Sequence, residues 1–311
     1  MGSAIPDPLV RVARAAMATR FEVVLHGAEP ARLRAAAEEA LDEIAFAEDL
    51  LSAFRPHSAL ARVNETAGQG WVRIDPRLFF FLERVLALAG RSGGAFDPTV
   101  GPLVRLWNEA RERGRVPDPA AVALAQSRVG WRHVELDPGA CAVRFLRPGL
   151  RLDPGAVGKG HALDMAVRVL HEAGVGNALI HGGTSSVCAM GKDPAGNPWT
   201  VALPDPPPGF PWRWPGGAAP RIALRDSTLS VSAVWGRSFA SGGRTYGHVI
   251  DPRTGEPVVG AWLAAATSAS ALEGDALSTA LLVRGGDWGG ETTGRFWIVA
   301  ADGRVLQSDA A

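Results

Sequence analysis

Three stretches carry apolar residues at helical spacing, residues 31–49, 76–90 and 159–173, and short β-branched segments fall between them in pairs. No other feature constrains the fold as much. Single strands alternating with helices would build a parallel βαβ array. Paired strands between long helices instead give mixed, largely antiparallel sheets packed with helices, an α+β class. In the second helix Leu78, Phe81, Leu82, Val85, Leu88 and Ala89 share a buried face, and Gly90 ends it. The alternating run RFEVVLH at 20–26 is a strand.

Further helices are expected over 117–127 and 275–283, with a short one ending near Arg113. Strands are expected over 134–136, 142–145, 178–181, 199–203, 221–224, 228–233, 247–250, 262–266 and 296–300. Residues 51–64 read as turn chemistry after a helix, because of Pro56 and Asn64. The Pro/Gly-rich run PDPPPGFPWRWPGGAAP, residues 204–220, separates two paired strands, so it is a long loop and not a domain boundary. Trp212 and Trp214 within it are either exposed docking aromatics or rings folded back onto the sheet.

Charge excludes some functions. In 311 residues, 32 Lys and Arg balance 32 Asp and Glu, whereas a nucleic-acid binder or a polybasic membrane-surface protein carries a basic excess. Cys141 and Cys188 are the two cysteines, too few for a disulfide framework. Pro6, Pro8, Arg11 and Arg14 break up the first residues, which lack the apolar run of about 7–15 residues that an export signal needs. The apolar stretch 261–283 contains Glu273 and Asp275 and reads as strand plus helix, not as a membrane span. The expectation is a cytoplasmic chain with no nucleic-acid partner and no membrane insertion, an exported native form with a trimmed start staying open.

Familiar catalytic signatures are absent. There is no G-x-S-x-G, no H-E-x-x-H and no G-x-G-x-x-G after a strand, and the seven histidines are scattered. GAVGKG at 155–160 superficially resembles a phosphate loop. It has Asp153 at the first glycine position and Gly160 where Ser or Thr is required.

Four polar, glycine-punctuated segments remain. In GGAFDPTVGPLVRLW (93–107), Asp97 reads either as a helix N-cap or as part of a ligand site. In LDPGAVGKGHALD (152–164), Lys159 opens a helix, a natural anion site or simply an exposed helix start. In YGHVIDPRTGEPV (246–258), turn chemistry accounts for Asp251, Pro252 and Gly255 but leaves His248 on its strand unexplained. In LEGDALSTALLV (272–283), Asp275 and Thr279 stand at i and i+4 near a helix start. They are hard oxygen donors suited to Mg²⁺, or else a dipole-complementing Asp and a back-bonded Thr.

Together the segments MATRFEV (17–23), LSAFRPHSALARVN (51–64), GAFDPTVGPLVRLW (94–107), LDPGAVGKGHALD (152–164), GHVIDPRTGEPV (247–258) and GDALSTALLVRG (274–285) resemble, in order and in register, the FAD:protein FMN transferase family, the ApbE-type flavin transferases. The resemblance covers roughly residues 12–305. It implies a single T-fold-related domain over 17–305, flanked by an N-terminal extension (1–16) and a tail (306–311). It further implies an enzyme that moves the FMN half of FAD onto a threonine hydroxyl of an acceptor protein and releases AMP. FAD pyrophosphatase activity and non-catalytic FAD binding are the alternatives. By the resemblance, Met17, Phe54, Ala95, Phe96, Asp97, Asp153, Lys159 and Ile250 line the FAD site. The carbonyl of Ala156, with Asp275 and Thr279, holds Mg²⁺. His248 is the candidate base and Lys159 the candidate electrostatic catalyst, with Asp97 and Asp251 as rival bases. Three departures stand out: Phe54 replaces a usual Tyr, Thr184 follows Gly182-Gly183 where an acid is common, and the family's ADALAT-like run appears as GDALST, with Ser278 beside the proposed ligand.

Overall fold

The computed structural model describes residues 8–53, 55–287, 292 and 294–308. In chain order the elements are β1 (Leu9–Ala16), β2 (Thr19–His26), α1 (Pro30–Leu51), α2 (Ala59–Thr66), β3 (Val72–Arg73), α3 (Pro76–Arg91), α4 (Gly101–Arg113), α5 (Pro119–Gln126), β4 (Val134–Asp137), β5 (Ala142–Phe145), α6 (Gly158–Glu172), β6 (Ala178–Gly182), β7 (Ser186–Met190), β8 (Trp199–Ala202), β9 (Arg221–Leu224), β10 (Ser227–Ala233), β11 (Phe239–Ser241), β12 (Arg244–Tyr246), β13 (Ala261–Ser268), α7 (Ala271–Arg284), β14 (Phe296–Ala300) and β15 (Val305–Gln307). The class is α+β. Contacts divide the chain into two compact units: Met1–Glu48 with Val157–Val231 and Ala266–Asp275, and Asp49–Ala156 with Ser232–Ala265 and Ala276–Ala311.

In the first unit the strands lie in the order β1-β2-β6-β7-β10, each pair antiparallel. The register sets Phe21 against Gly182 and Ser230 against Ser186. Helices α1 and α6 supply Ala40, Leu41, Ile44, Leu163, Ala166 and Leu170 to a core with Phe21, Leu25 and Ile180 from the strands. The segment before residue 17, expected as an extension, contains β1, paired along its whole length with β2. β7 is buried at every position, so it shows none of the alternation by which a half-exposed strand is recognised. The loop between β8 and β9 closes on itself. Trp212 and Trp214 are 8% and 4% exposed, their rings 4.7 Å apart and edge to face, which settles them as folded back.

In the second unit β3, β5 and β4 form a small antiparallel sheet. Asp75 accepts from Arg77 N at 2.7 Å to start α3, and Pro76 fills the first helical position. Residues 51–64, read as turns, contain α2 instead. Ser58 caps it, accepting from Ala61 N at 3.0 Å, so Pro56 precedes the helix and does not prevent it. The expected strand over 247–250 does not form. Only Ile250 makes a bridge, to Pro257, flanked by the bonds from Asp251 N to Glu256 O at 2.8 Å and from Val258 N to Val249 O at 2.9 Å, and the pairing goes no further.

Candidate functional site

The first unit gathers a carboxylate at the start of α6. Asp275, on α7, is 4% exposed. Its Oδ2 accepts from Gly160 N at 2.7 Å and its Oδ1 from Ser186 Oγ at 2.8 Å. Burial raises its pKa; the positive charge of Lys159 and the hydrogen bonds from Ser186 and Gly160 pull it back down. Lys159 is the second residue of α6, and no side chain caps that helix. The start of α6 therefore combines a cation, a helix N-terminus and an anchored acid, a natural setting for anions. A Cβ on Gly160 would stand 2.2 Å from Ala271 O, so only glycine lets α6 and the start of α7 approach this closely.

Asp164, one turn further along α6, holds the start of α7. Its carboxylate accepts from Ser270 Oγ at 2.6 Å, Ala271 N at 2.7 Å and Leu272 N at 3.3 Å. The helix begins at Ala271, one turn earlier than expected, so Asp275 lies inside it and not at its cap. Ser186, Ser230 and Asp164 were not singled out from sequence. Asp164 alone carried a signal, as the last residue of the 152–164 segment.

Met17 sits at the apex of the β1–β2 hairpin. It and Ala18 are both left-handed, with φ of 49° and 56°. Asn-Gly is the usual pair for such a turn, so a Met-Ala pair there is strained.

The second unit brings together Ala95, Phe96, Asp97 and Asp153. Pro98 O accepts from Asp153 N at 2.8 Å, and residues 100 and 151 form a parallel bridge. Asn64, read as a turn residue, fixes this junction. Its amide donates to Leu152 O at 2.9 Å and its carbonyl accepts from Leu152 N at 2.7 Å. Asp97 is not the cap of α4, whose N-cap is Val100 without a side-chain bond. Its Oδ1 accepts from Thr99 N and Oγ1 at 2.8 and 2.6 Å, and its Oδ2 from Trp131 N at 3.0 Å. Burial raises the pKa of Asp97 against these bonds, and raises that of Asp153 against a single bond from Gly155 N.

The 251–255 turn is clasped from two helices. Trp107 Nε1 donates to Gly255 O at 2.8 Å, and Gln126 Nε2 to Arg253 O at 2.5 Å. Arg253 occupies both oxygens of Asp251 through Nε at 2.9 Å and Nη2 at 2.8 Å. Asp97 and Asp251, two of the three candidate bases, thus accept hydrogen bonds on both oxygens, and His248 is exposed on a shallow crease with Asn108, Arg237 and Phe239. Ile250 is buried against Leu103 and Trp107. Thr279, also on α7, lies half-buried with its Oγ1 3.2 Å from Ser232 Oγ. Ala156 lies in the turn before α6, and Phe54 lies outside the described residues. A crevice of about 390 Å³ between the end of α4 and the start of α5 is lined by Glu109, Arg113, Arg115 and Asp118 and contains none of these residues.

Among the described residues no three His, Cys, Asp or Glu side chains form a metal cluster. One carboxylate with hydroxyl and carbonyl oxygens is donor chemistry for a hard cation that also takes phosphate oxygens, and poor chemistry for zinc. Nor is any described helix long and apolar enough to cross a membrane.

The profile of the ApbE family matches residues 17–295. A FAD:protein FMN transferase of Treponema pallidum is 35% identical over 242 residues, which is 73% of this chain and 65% of that protein. The chain thus spans just under two thirds of that relative's length. One from Klebsiella pneumoniae is 28% identical over 275 residues, 86% of this chain and 77% of that protein. The crystal structure of the ApbE protein of Thermotoga maritima superposes with a TM-score of 0.85 at 27% identity, covering 97% of both chains.

Proposed function

The chain belongs to the ApbE family, and on that premise we propose that it transfers the FMN half of FAD to a threonine hydroxyl of an acceptor protein, releasing AMP. The observation that carries this reading is the anchored acid at a cationic helix start, Asp275 on Gly160 N with Lys159 beside it. That is what a diphosphate bond needs if it is to be broken in a chain without net positive charge.

The FAD side is assigned to Met17, Phe54, Ala95, Phe96, Asp97, Asp153, Lys159 and Ile250. Asp97 and Asp153 belong to the junction that Asn64 fixes, so their loops are pre-ordered for binding. The metal ligands are assigned to the Ala156 carbonyl, Asp275 and Thr279. When bound, Mg²⁺ supplies charge neutralisation on the diphosphate oxygens and a template for in-line attack. Lys159 adds a fixed positive charge to the same oxygens. The threonine Oγ attacks the FMN phosphorus as the bond from that phosphorus to the bridging oxygen breaks. The threonine proton passes to His248, and the bridging oxygen leaves with AMP. Support for His248 as the base is its exposure, which leaves an imidazole within reach of an acceptor protein.

The test incubates the protein with FAD, Mg²⁺ and an acceptor peptide or protein and looks by mass spectrometry for added FMN. His248→Ala is expected to retain FAD and lose the adduct. Release of FMN and AMP at the same rate with and without acceptor would mean that water is the nucleophile, and the activity a pyrophosphatase.

A further inference from the structure

Neighbouring residues on a helix point about 100° apart, so one side chain seldom reaches both. Ser232, near the end of β10, does so on α7. Its Oγ lies 2.9 Å from Ser278 Oγ and 3.2 Å from Thr279 Oγ1. Ser278 is 1% exposed, whereas Ser232 and Thr279 are half-buried. A hydroxyl has one proton, so Ser232 cannot donate to both neighbours.

We propose that Ser232 and Ser278 form a hydroxyl relay that orients Thr279 as a cation ligand; this rests on the reading above of Thr279 as a metal ligand. A hydroxyl that ligates a cation must turn its lone pairs to the ion and send its proton elsewhere. Ser232 Oγ is the acceptor for that proton. It can accept only if its own proton goes to a third group, and Ser278 is that group. Thr279 therefore donates to Ser232, and Ser232 donates to Ser278. Without Ser278, the Ser232 proton would compete with the cation for a Thr279 lone pair. Ser278 stands where the resemblance leads one to expect alanine, so the device is a property of this chain. Ser232 and Ser278 are positioning residues, and neither touches the substrate in this scheme.

The test is Mn²⁺ binding to the FAD-loaded full chain, read from the electron paramagnetic resonance of the free ion. Ser232→Ala is expected to weaken Mn²⁺ binding about tenfold, the usual scale for losing a partner that orients a metal ligand. Ser278→Ala should weaken it less, the double variant should be no weaker than Ser232→Ala, and Ser232→Thr should restore binding. FAD affinity without metal and the thermal midpoint should stay at wild-type values. Variants within twofold of a wild type that binds Mn²⁺ normally would remove the relay and leave the metal reading standing. Losses of FAD affinity or stability matching the loss of Mn²⁺ would show a merely structural role and also overturn it. A wild type that binds no Mn²⁺ would overturn the metal reading and the relay together.

Discussion

Asp164 and Ala271 are joined by a hydrogen bond of 2.7 Å, from the first backbone N–H of α7 to a carboxylate on α6. The same carboxylate takes Leu272 N and Ser270 Oγ, so one side chain from a neighbouring helix does the work of an N-cap. Asp164→Ala is expected to cost about 1–2 kcal/mol, at the upper end for a lost cap. Because α7 carries Asp275, the proposed FMN transfer should fall further than stability does. Urea unfolding together with FMN transfer at saturating FAD checks both. Equal, small losses in the two would show that the cap holds the helix without holding the acid.

Gly160 tests how closely α6 and α7 must approach. An alanine Cβ there would lie 2.2 Å from Ala271 O, and backbone cannot yield as a flexible side chain can. Gly160→Ala should destabilise by about 1–3 kcal/mol through overpacking. It should also lengthen the bond from the residue 160 N–H to Asp275, so transfer should be nearly abolished even in protein that stays folded. Thermal unfolding and activity at a temperature below the variant's midpoint separate the two effects.

Asp153 sets a pH dependence. Burial raises its folded-state pKa above the ordinary carboxylate value of about 3.9, so the native state binds the proton more tightly than the unfolded chain. Its contribution to stability is present below that ordinary value and lost as pH rises through the raised one. Asp153→Asn should remove this slope. The variant should gain relative to wild type as pH rises from about 4 through the raised value and hold a constant advantage above it. Urea midpoints taken in pairs across that range measure it. A difference that does not change with pH would mean the carboxyl titrates alike in both states.

Residues at which one face decides the structure were legible in the sequence. Leu78, Leu82, Val85 and Ala89 of α3 announce a helix because burial repeats with the helical period. β7 and α2 were missed for opposite reasons. β7 is buried throughout and has no period to read, while α2 follows a proline that looks like a stop. The strand expected at 247–250 shrinks to one bridge because the chain reverses at once through the 251–255 turn, so that Asp251 N already bonds Glu256 O and Val258 N bonds Val249 O. At the candidate site the motifs pointed to Lys159, Asp275 and Thr279, since the chemistry that singles them out is local. Ser186, Ser232 and Asn64 were invisible because their roles come from partners distant in sequence, such as Asn64 on Leu152.

Trp212 and Trp214 separate packing from partner docking. Both rings are buried, and Trp214 Nε1 donates to Pro204 O at 3.2 Å, closing the loop on its own start. Alanine at either position should destabilise by about 3–5 kcal/mol, the cost of emptying a large aromatic site. FMN transfer per folded molecule should be unchanged. Stable variants with a raised KM for the acceptor protein would return these rings to a docking role.

Met17 and Ala18 present the sharpest local test, because a strained turn and a proposed flavin contact coincide there. Both residues hold left-handed backbone, at φ of 49° and 56°, which costs of order 1–3 kcal/mol for a residue other than glycine. Ala18→Gly should relieve this strain, stabilise by up to about 1 kcal/mol and leave FAD binding unchanged. Met17→Gly should relieve backbone strain too, but the Met17 side chain also packs against the β1–β2 core, so its net stability gain should be smaller or absent. If that side chain also lines the FAD site, Met17→Gly should bind FAD several-fold more weakly, read by quenching of flavin fluorescence. Weaker FAD binding by Met17→Gly alone keeps Met17 in the FAD site and explains why strain is tolerated at this apex. Undiminished binding by both variants would remove Met17 from the site and leave the strained turn unexplained.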